Sequence, residues 1–244
     1  MEWERSGEVE FIRHRLGNAE VVFGSRLGGF SQPPYDSLNA GIGTGDQPDL
    51  VVRNRAELSR AAGVAPEQVV MARQVHGDGV VRHDAPIFSS DWMDGSLPDS
   101  EADAHVTDRP GTGLAILTAD CLPIALSGPR GLALAHCGWR GLSLGLAAKA
   151  AKMVAASTAV VGPGIGPCCY EVGGDVMKSL GDEHSIVDGN RLDLVRVAVK
   201  QLSEAGVGEI DSVNLCTCCD EEKFFSHRRD GPTTGRQATL AWLS

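Results

Sequence analysis

Residues 113–141, GLAILTADCLPIALSGPRGLALAHCGWRG, decide the fold. Three apolar runs follow one another, and Gly128-Pro-Arg-Gly131 separates the last two. That pattern predicts strands over TGLAILTADC, PIALSG and GLALAHCG, the last two forming a hairpin. With the turn centred near Pro129-Arg130, Cys121 faces about residue 138. His136 then lies about two residues away, roughly 7 Å along the strand. A strand ending in His136, Cys137, Trp139 and Arg140 supplies an imidazole, a thiol, an indole and a guanidinium. Packing alone needs none of these.

Working outward, VEFIRH and AEVVFGSR read as opening strands, with VVMARQVHG, VVRHD, AHVTD, TAVVG and SVNLCT as later ones. Helices are predicted over LVVRNRAELSRAAGV, with Asp49 as N-cap and Gly63 as stop, and over LSLGLAAKAAKMVAAS, EVGGDVMKSL and RLDLVRVAVKQLSEAG. Between the second strand and first helix runs GGFSQPPYDSLNAGIGTGDQPD, a loop long enough to suggest function. Strands outnumber helices and several are hairpin neighbours. The expectation is one α/β (α+β) domain over residues 1–244, with mixed, largely antiparallel sheets and helices outside.

The 244 residues suffice for a core without disulfides. A net charge of −10 argues against a nucleic-acid or anionic-membrane partner. No apolar run reaches membrane-spanning length, and the N-terminus carries four glutamates rather than a signal peptide's apolar core. Seven cysteines without a secretory leader suggest reduced thiols and a cytoplasmic protein.

His76, Cys121 and His136 each stand at or just past a predicted strand end. Two imidazoles and a thiolate suit zinc, with a fourth position open for chemistry. Asp120 is the candidate to orient a ligand imidazole or move a proton. Spacing alone favours a buried thiol with hydrogen-bonded core histidines, since the three positions match no compact zinc motif; Cys121 as a nucleophile with His76 or His136 as its base is a further reading.

Other clusters are weaker. In GPGIGPCCYEVG, the amides of Gly164, Ile165 and Gly166 could form an anion nest. CTCCD, 216–220, has an adjacent pair and a pair one residue apart, a spacing that suggests packing thiols. FFSHRRDG offers Phe224 and Phe225 as an apolar wall and Arg228 and Arg229 as anion forks. Arg140 adds a third arginine beside aromatic residues. Phe224, Phe225 or Trp139 could stack on a base, with Asn39 or Arg55 lining the pocket.

QVHG (74–77), TADCLPI (118–124), AHCGWRGL (135–142), GPGIGPCCYEVG (162–173), FFSHRRDG (224–231) and TGRQA (234–238) together resemble the bacterial laccase-domain family, also described as multicopper polyphenol oxidase, purine nucleoside phosphorylase and peptidoglycan editing factor. The resemblance runs in the family's order from about residue 20 to 244. It implies a four-layer α-β-β-α sandwich like that of the cytotoxic necrotizing factor deamidases. It implies His76, Cys121 and His136 as ligands of Zn(2+), with Cu(2+) as the alternative. The implied activity is phosphorolysis of adenosine, inosine and methylthioadenosine, with adenosine deamination besides. A purine nucleoside and phosphate would be the partners, and the chain a monomer or weak dimer. Cys137 stands where the family more often has alanine, and His227 where it more often has tyrosine. The alternatives are a cysteine amidase editing peptidoglycan precursors through Cys121, a single-copper polyphenol oxidase, and a non-enzymatic metal-binding protein. Seven histidines with no His-x-His pair cannot supply a four-copper oxidase.

Overall fold

The computed structural model describes residues 2–87, 90–180 and 186–244. Its strands are β1 (Glu2–Ser6), β2 (Val9–Leu16), β3 (Ala19–Gly24), β4 (Val69–Val70), β5 (Val80–Arg82), β6 (Ala104–Thr107), β7 (Gly113–Thr118), β8 (Leu122–Gly128), β9 (Gly131–Cys137), β10 (Thr158–Val161), β11 (Ile186–Asp188), β12 (Arg191–Leu192), β13 (Glu209–Ser212) and β14 (Gln237–Leu243). The helices are α1 (Pro48–Ala62), α2 (Trp139–Ser143), α3 (Leu146–Val154), α4 (Gly174–Leu180), α5 (Leu194–Glu204) and α6 (His227–Asp230). No described helix is long and apolar enough to cross a membrane.

Two mixed six-stranded sheets result, and few helices. The first runs β1-β2-β3-β14-β7-β4 and the second β13-β10-β8-β9-β6-β5, with β11-β12 a separate ribbon. Most pairs are antiparallel; β4–β7, β5–β6 and β10–β13 are parallel. The predicted hairpin forms in the expected register, with Leu122 opposite Cys137 and Ile124 opposite Ala135.

Three apolar clusters hold these elements. One joins the sheets, with Val21, Phe23 and Ile116 from the first against Ala125, Leu134 and Val160 from the second. Phe23, Ile116 and Leu134 are essentially fully buried, each contributing about 1.5–3 kcal/mol by leaving water. The second cluster packs β6, β8 and β9 against α2, α3 and α5. The third packs the first sheet against α1 and Trp92.

Departures from the sequence reading have local causes. The helix expected over 142–157 breaks at Gly145, whose φ of 76° suits glycine and separates α2 from α3. The strand expected over SVNLCT ends at Ser212, because Asn214 turns with a φ of 53°. β1 was not expected: all five residues are exposed, so it carries no burial pattern and is held by pairing to β2. Gln47, not Asp49, occupies the N-cap of α1, while Gly63 ends it in the left-handed conformation as expected.

VVMARQVHG is a strand only at Val69–Val70. There it pairs with β7, and then the chain leaves the first sheet for β5 at the edge of the second. The Gln74 side chain replaces the missing ladder: its amide donates to the Leu117 carbonyl and accepts from the Leu117 N–H, both at 2.7 Å. His76 rides on this crossing. A second crossing, Ala119–Cys121, joins β7 of the first sheet to β8 of the second.

Candidate metal centre and cleft

Donor atoms of His76, Cys121 and His136 lie within 4.8 Å of one another. Strand register brings the last two together. Cys121 immediately precedes β8 and extends the register to face Gly138. A Cβ on Gly138 would stand only 2.8 Å from Cys121 Sγ, so the glycine leaves the space that the sulfur occupies. His76 arrives from the other crossing, its ring edge-on to His136 with centroids 4.8 Å apart.

Asp103 organises the group. It precedes β6, and the β6–β9 register sets it opposite His136. The His136 N–H donates to the Asp103 carbonyl at 2.7 Å. The Asp103 carboxylate meets His136 Nδ1 at 2.9 Å and also accepts from the amides of Val75, His76 and Gly77 at 3.2, 2.9 and 2.7 Å. Those bonds hold His76 with a φ of 59°, left-handed backbone that costs a non-glycine residue about 1–3 kcal/mol. Burial alone would raise the Asp103 carboxyl; His136 and the Gly77 and Val75 amides outweigh it and hold it below its usual value.

Burial likewise opposes charge on both Cys121 and His136, and their mutual attraction overcomes it. The Cys121 thiol is lowered by His136 and by hydrogen bonds from both imidazoles. His136 is raised by Cys121 and then by Asp103. Each group thus favours the charged form of the other. With Nδ1 engaged by Asp103, His136 keeps Nε2 for a ligand. Two imidazoles, one thiolate and no fourth protein donor in the group fit a single borderline ion with one position open.

The three donor residues line a cleft of about 550 Å³. Its wall includes Arg73, Arg140, Arg228 and Arg236, together with Trp139 and Tyr170. The Arg140 guanidinium covers the Trp139 ring at 4.4 Å, and Arg228 lies 5.1 Å from the Tyr170 ring centre. With Arg55, an acidic chain therefore concentrates five guanidinium groups around one concavity.

Of the residues singled out in the sequence, His76, Asp120, Cys121, His136, Trp139, Arg140, Arg228 and Arg55 line this cleft, as does His227. Arg55 is fully buried, its guanidinium donating to the carbonyls of Ala40 and Trp92 at 2.8 and 3.0 Å. Asn39 lies outside the lining, bracing the long loop by accepting from Gly41 and Arg236 amides. Arg229 also lies outside it, tied to Asp230 and to the carbonyls of Thr217 and Phe224. Phe224 and Phe225 are fully buried and cannot offer a stacking face.

Asp120 does not orient an imidazole; Asp103 does. Asp120, with a φ of 95°, accepts from the Thr217 hydroxyl and the Arg228 amide, each at 2.7 Å. Cys137 points into the apolar cluster beneath α2 and α3, away from the donors, and burial raises its thiol. The anion nest expected at Gly164–Gly166 is already occupied. Its three amides donate to Leu215 O, Asp120 O and Cys216 Sγ. Asp103, Gln74, Tyr170 and Arg236 were missed because their roles depend on strand pairing across the sheets, which local sequence does not carry.

The family model for multi-copper polyphenol oxidoreductase laccase matches residues 20–244. The chain belongs to that laccase-domain family. A purine nucleoside phosphorylase YfiH of Escherichia coli K12 is 39% identical over 233 residues, covering 90% of this chain and 91% of that one. A purine nucleoside phosphorylase of Streptomyces coelicolor is 35% identical, covering 95% and 98%. Among solved structures, YlmD from Geobacillus stearothermophilus aligns with a TM-score of 0.87 at 31% identity, covering 99% of this chain and 98% of that one. Bacillus licheniformis YfiH aligns with a TM-score of 0.86, also at 31% identity, covering 99% of both. The laccase-domain name promises several coppers, whereas this centre offers the donors of one ion.

Proposed function

We propose that this chain is a zinc-dependent purine nucleoside phosphorylase, acting on adenosine, inosine and methylthioadenosine, with adenosine deamination as a side activity. The observation that carries it is the convergence of His76, Cys121 and His136 at a cleft walled by arginines and aromatic rings. The phosphorylase names of the Escherichia coli and Streptomyces relatives support the same reading. His76, Cys121 and His136 would hold the ion, which when bound supplies Lewis acidity toward a phosphate or water oxygen.

Arg140 and Arg228 hold inorganic phosphate in the cleft, aided by Arg73 and Arg236. Trp139 and Tyr170 offer faces for the purine. A phosphate oxygen forms a bond to the anomeric carbon as the bond to the purine nitrogen breaks, through an oxocarbenium-like state. The departing base takes the proton it requires from water in the cleft, because His76 and His136 would serve as ligands of the ion. Asp120 acts by position: its carboxylate fixes the Arg228 backbone and the Thr217 hydroxyl. This proposal takes the whole chain as one cytoplasmic domain, monomeric or weakly dimeric, in the four-layer order its three apolar clusters suit.

The second reading is a cysteine amidase acting on a cell-wall precursor. Cys121 beside His136, and His136 on Asp103, form a contact chain of nucleophile, base and orienting acid. One comparison separates the two. Phosphate-dependent release of hypoxanthine from inosine is measured for wild type and Cys121→Ser, with zinc determined on both. Joint loss of activity and one zinc equivalent supports the phosphorylase. Undiminished phosphorolysis in the variant refutes it, and amide hydrolysis by metal-free protein, abolished on alkylation of Cys121, selects the amidase.

A further inference from the structure

A second group of metal-ligating side chains lies behind the cleft wall. Sγ atoms of Cys168, Cys169, Cys216 and Cys219 lie within 4.8 Å of one another. Cys219 Sγ is 3.4 Å from both Cys168 Sγ and Cys169 Sγ. We propose that these four thiolates bind one structural Zn(2+), a site separate from His76, Cys121 and His136.

Dimensions favour a single ion. Zinc–sulfur bonds of about 2.3 Å in a tetrahedron place neighbouring sulfurs about 3.8 Å apart. Two separations of 3.4 Å, with every other within 4.8 Å, are compatible with that edge. An iron–sulfur cluster distributes its thiolates over several irons and requires wider spacing. A disulfide needs about 2.05 Å and uses sulfurs in pairs, whereas here Cys219 is equally near two thiols.

The surroundings are built for close approach. Gly166 donates its N–H to Cys216 Sγ at 3.2 Å, a bond suited to a thiolate ligand. A Cβ on Gly166 would meet Cys168 Sγ and Cys216 Cβ at 3.3 Å. The sequence also contains the signal in a form that adjacent pairs hide. Cys216 and Cys219 have two residues between them, the spacing of a zinc knuckle, and the intervening Cys218 is not in the group. Cys216 and Cys218 pack against the apolar cluster under α3 and α5, as the packing reading of CTCCD expects, and a ligand role for Cys216 and Cys219 comes in addition. Cys168 and Cys219 are exposed, so an ion can enter from solvent.

The ion would staple the segment after β10 to the segment after β13. Both touch the cleft wall. Thr217, inside the knuckle, donates to Asp120, and the carbonyls of Cys169 and Glu171 accept from Arg228 at 3.3 and 3.0 Å. The site therefore fixes Tyr170 and Arg228 without entering the cleft, and it holds whichever chemistry the first centre performs.

The test uses the full chain, loaded with zinc alone and freed of excess. Zinc is counted for wild type, for Cys121→Ser and for Cys168→Ser/Cys219→Ser. The double variant should lose one equivalent that Cys121→Ser retains. Because the double variant could fail to fold, the wild type is also alkylated with and without a strong chelator and mapped by mass spectrometry. Exposed Cys168 and Cys219 should be protected by zinc and released by the chelator. Reconstitution with Co(2+) should give thiolate charge-transfer absorption that persists in Cys121→Ser. Zinc content unchanged in a folded double variant, no zinc protection of Cys168 and Cys219, or recovery of those thiols as disulfides in the zinc-loaded chain would each overturn the proposal.

Discussion

Asp103→Asn is the most informative single change. Oδ1 of Asp103 takes the His76 N–H and meets His136 Nδ1, while Oδ2 takes the Val75 and Gly77 N–H groups. The side chain is fully buried, so water cannot readily substitute. An asparagine must point its NH₂ at one of these two sets. Toward Val75 and Gly77 it faces two donors, and both amides are left unpaired. Toward His76 and His136 it faces one donor and forces His136 to accept at Nδ1, moving the ring proton to the nitrogen a ligand needs. One or two buried donors without partners cost about 1–3 kcal/mol each. The expected loss is about 2–5 kcal/mol in metal-free protein, read by urea denaturation. Zinc affinity at the first centre should fall about 10- to 100-fold, read by chelator competition. The sign with pH follows from the lowered carboxyl. Its contribution is complete above the unfolded value near pH 4 and is lost as pH falls through the lower folded value. The gap between wild type and variant should therefore narrow below about pH 4. A variant within about 0.5 kcal/mol of wild type at neutral pH would refute the assigned role of this carboxylate.

Three further outcomes are expected. Gly138→Ala drives a methyl to 2.8 Å from Cys121 Sγ and should weaken zinc binding at the first centre, read by the same competition, while the protein stays folded by circular dichroism. Arg55→Met leaves the Ala40 and Trp92 carbonyls without their donor and should lower stability by about 2–4 kcal/mol in urea melts. Arg228→Ala should raise KM for phosphate more than Arg229→Ala, whose guanidinium is bound to carbonyls and Asp230 outside the cleft; the ratio of the two KM values is the measurement.

The hairpin of β8 and β9 was legible because a short turn between apolar runs fixes its own register, and that register brings Cys121 near His136. His76 was legible as a candidate only by residue type and resemblance. Its approach depends on a crossing between sheets, braced by Gln74 and Asp103, and neither brace has a local signature. The arginines show the same limit. Arg140, Arg228 and Arg229 look alike in sequence, but Arg229 is consumed by carbonyls that only the fold brings near it. The thiol cluster was half legible, in the Cys216–Cys219 spacing, while Cys168 and Cys169 join it through the Gly164–Cys216 bridge.

The position of β14 has a consequence for synthesis. The second sheet is drawn entirely from residues 80–212 and can assemble while translation continues. The first sheet cannot, because β14 sits between β3 and β7 and follows both in the chain, β7 by more than a hundred residues. Until it emerges, β1–β3 and the β7–β4 pair have open edges facing each other across a vacant slot. The nascent chain thus keeps an unfilled slot in the first sheet until β14 pairs with both neighbours.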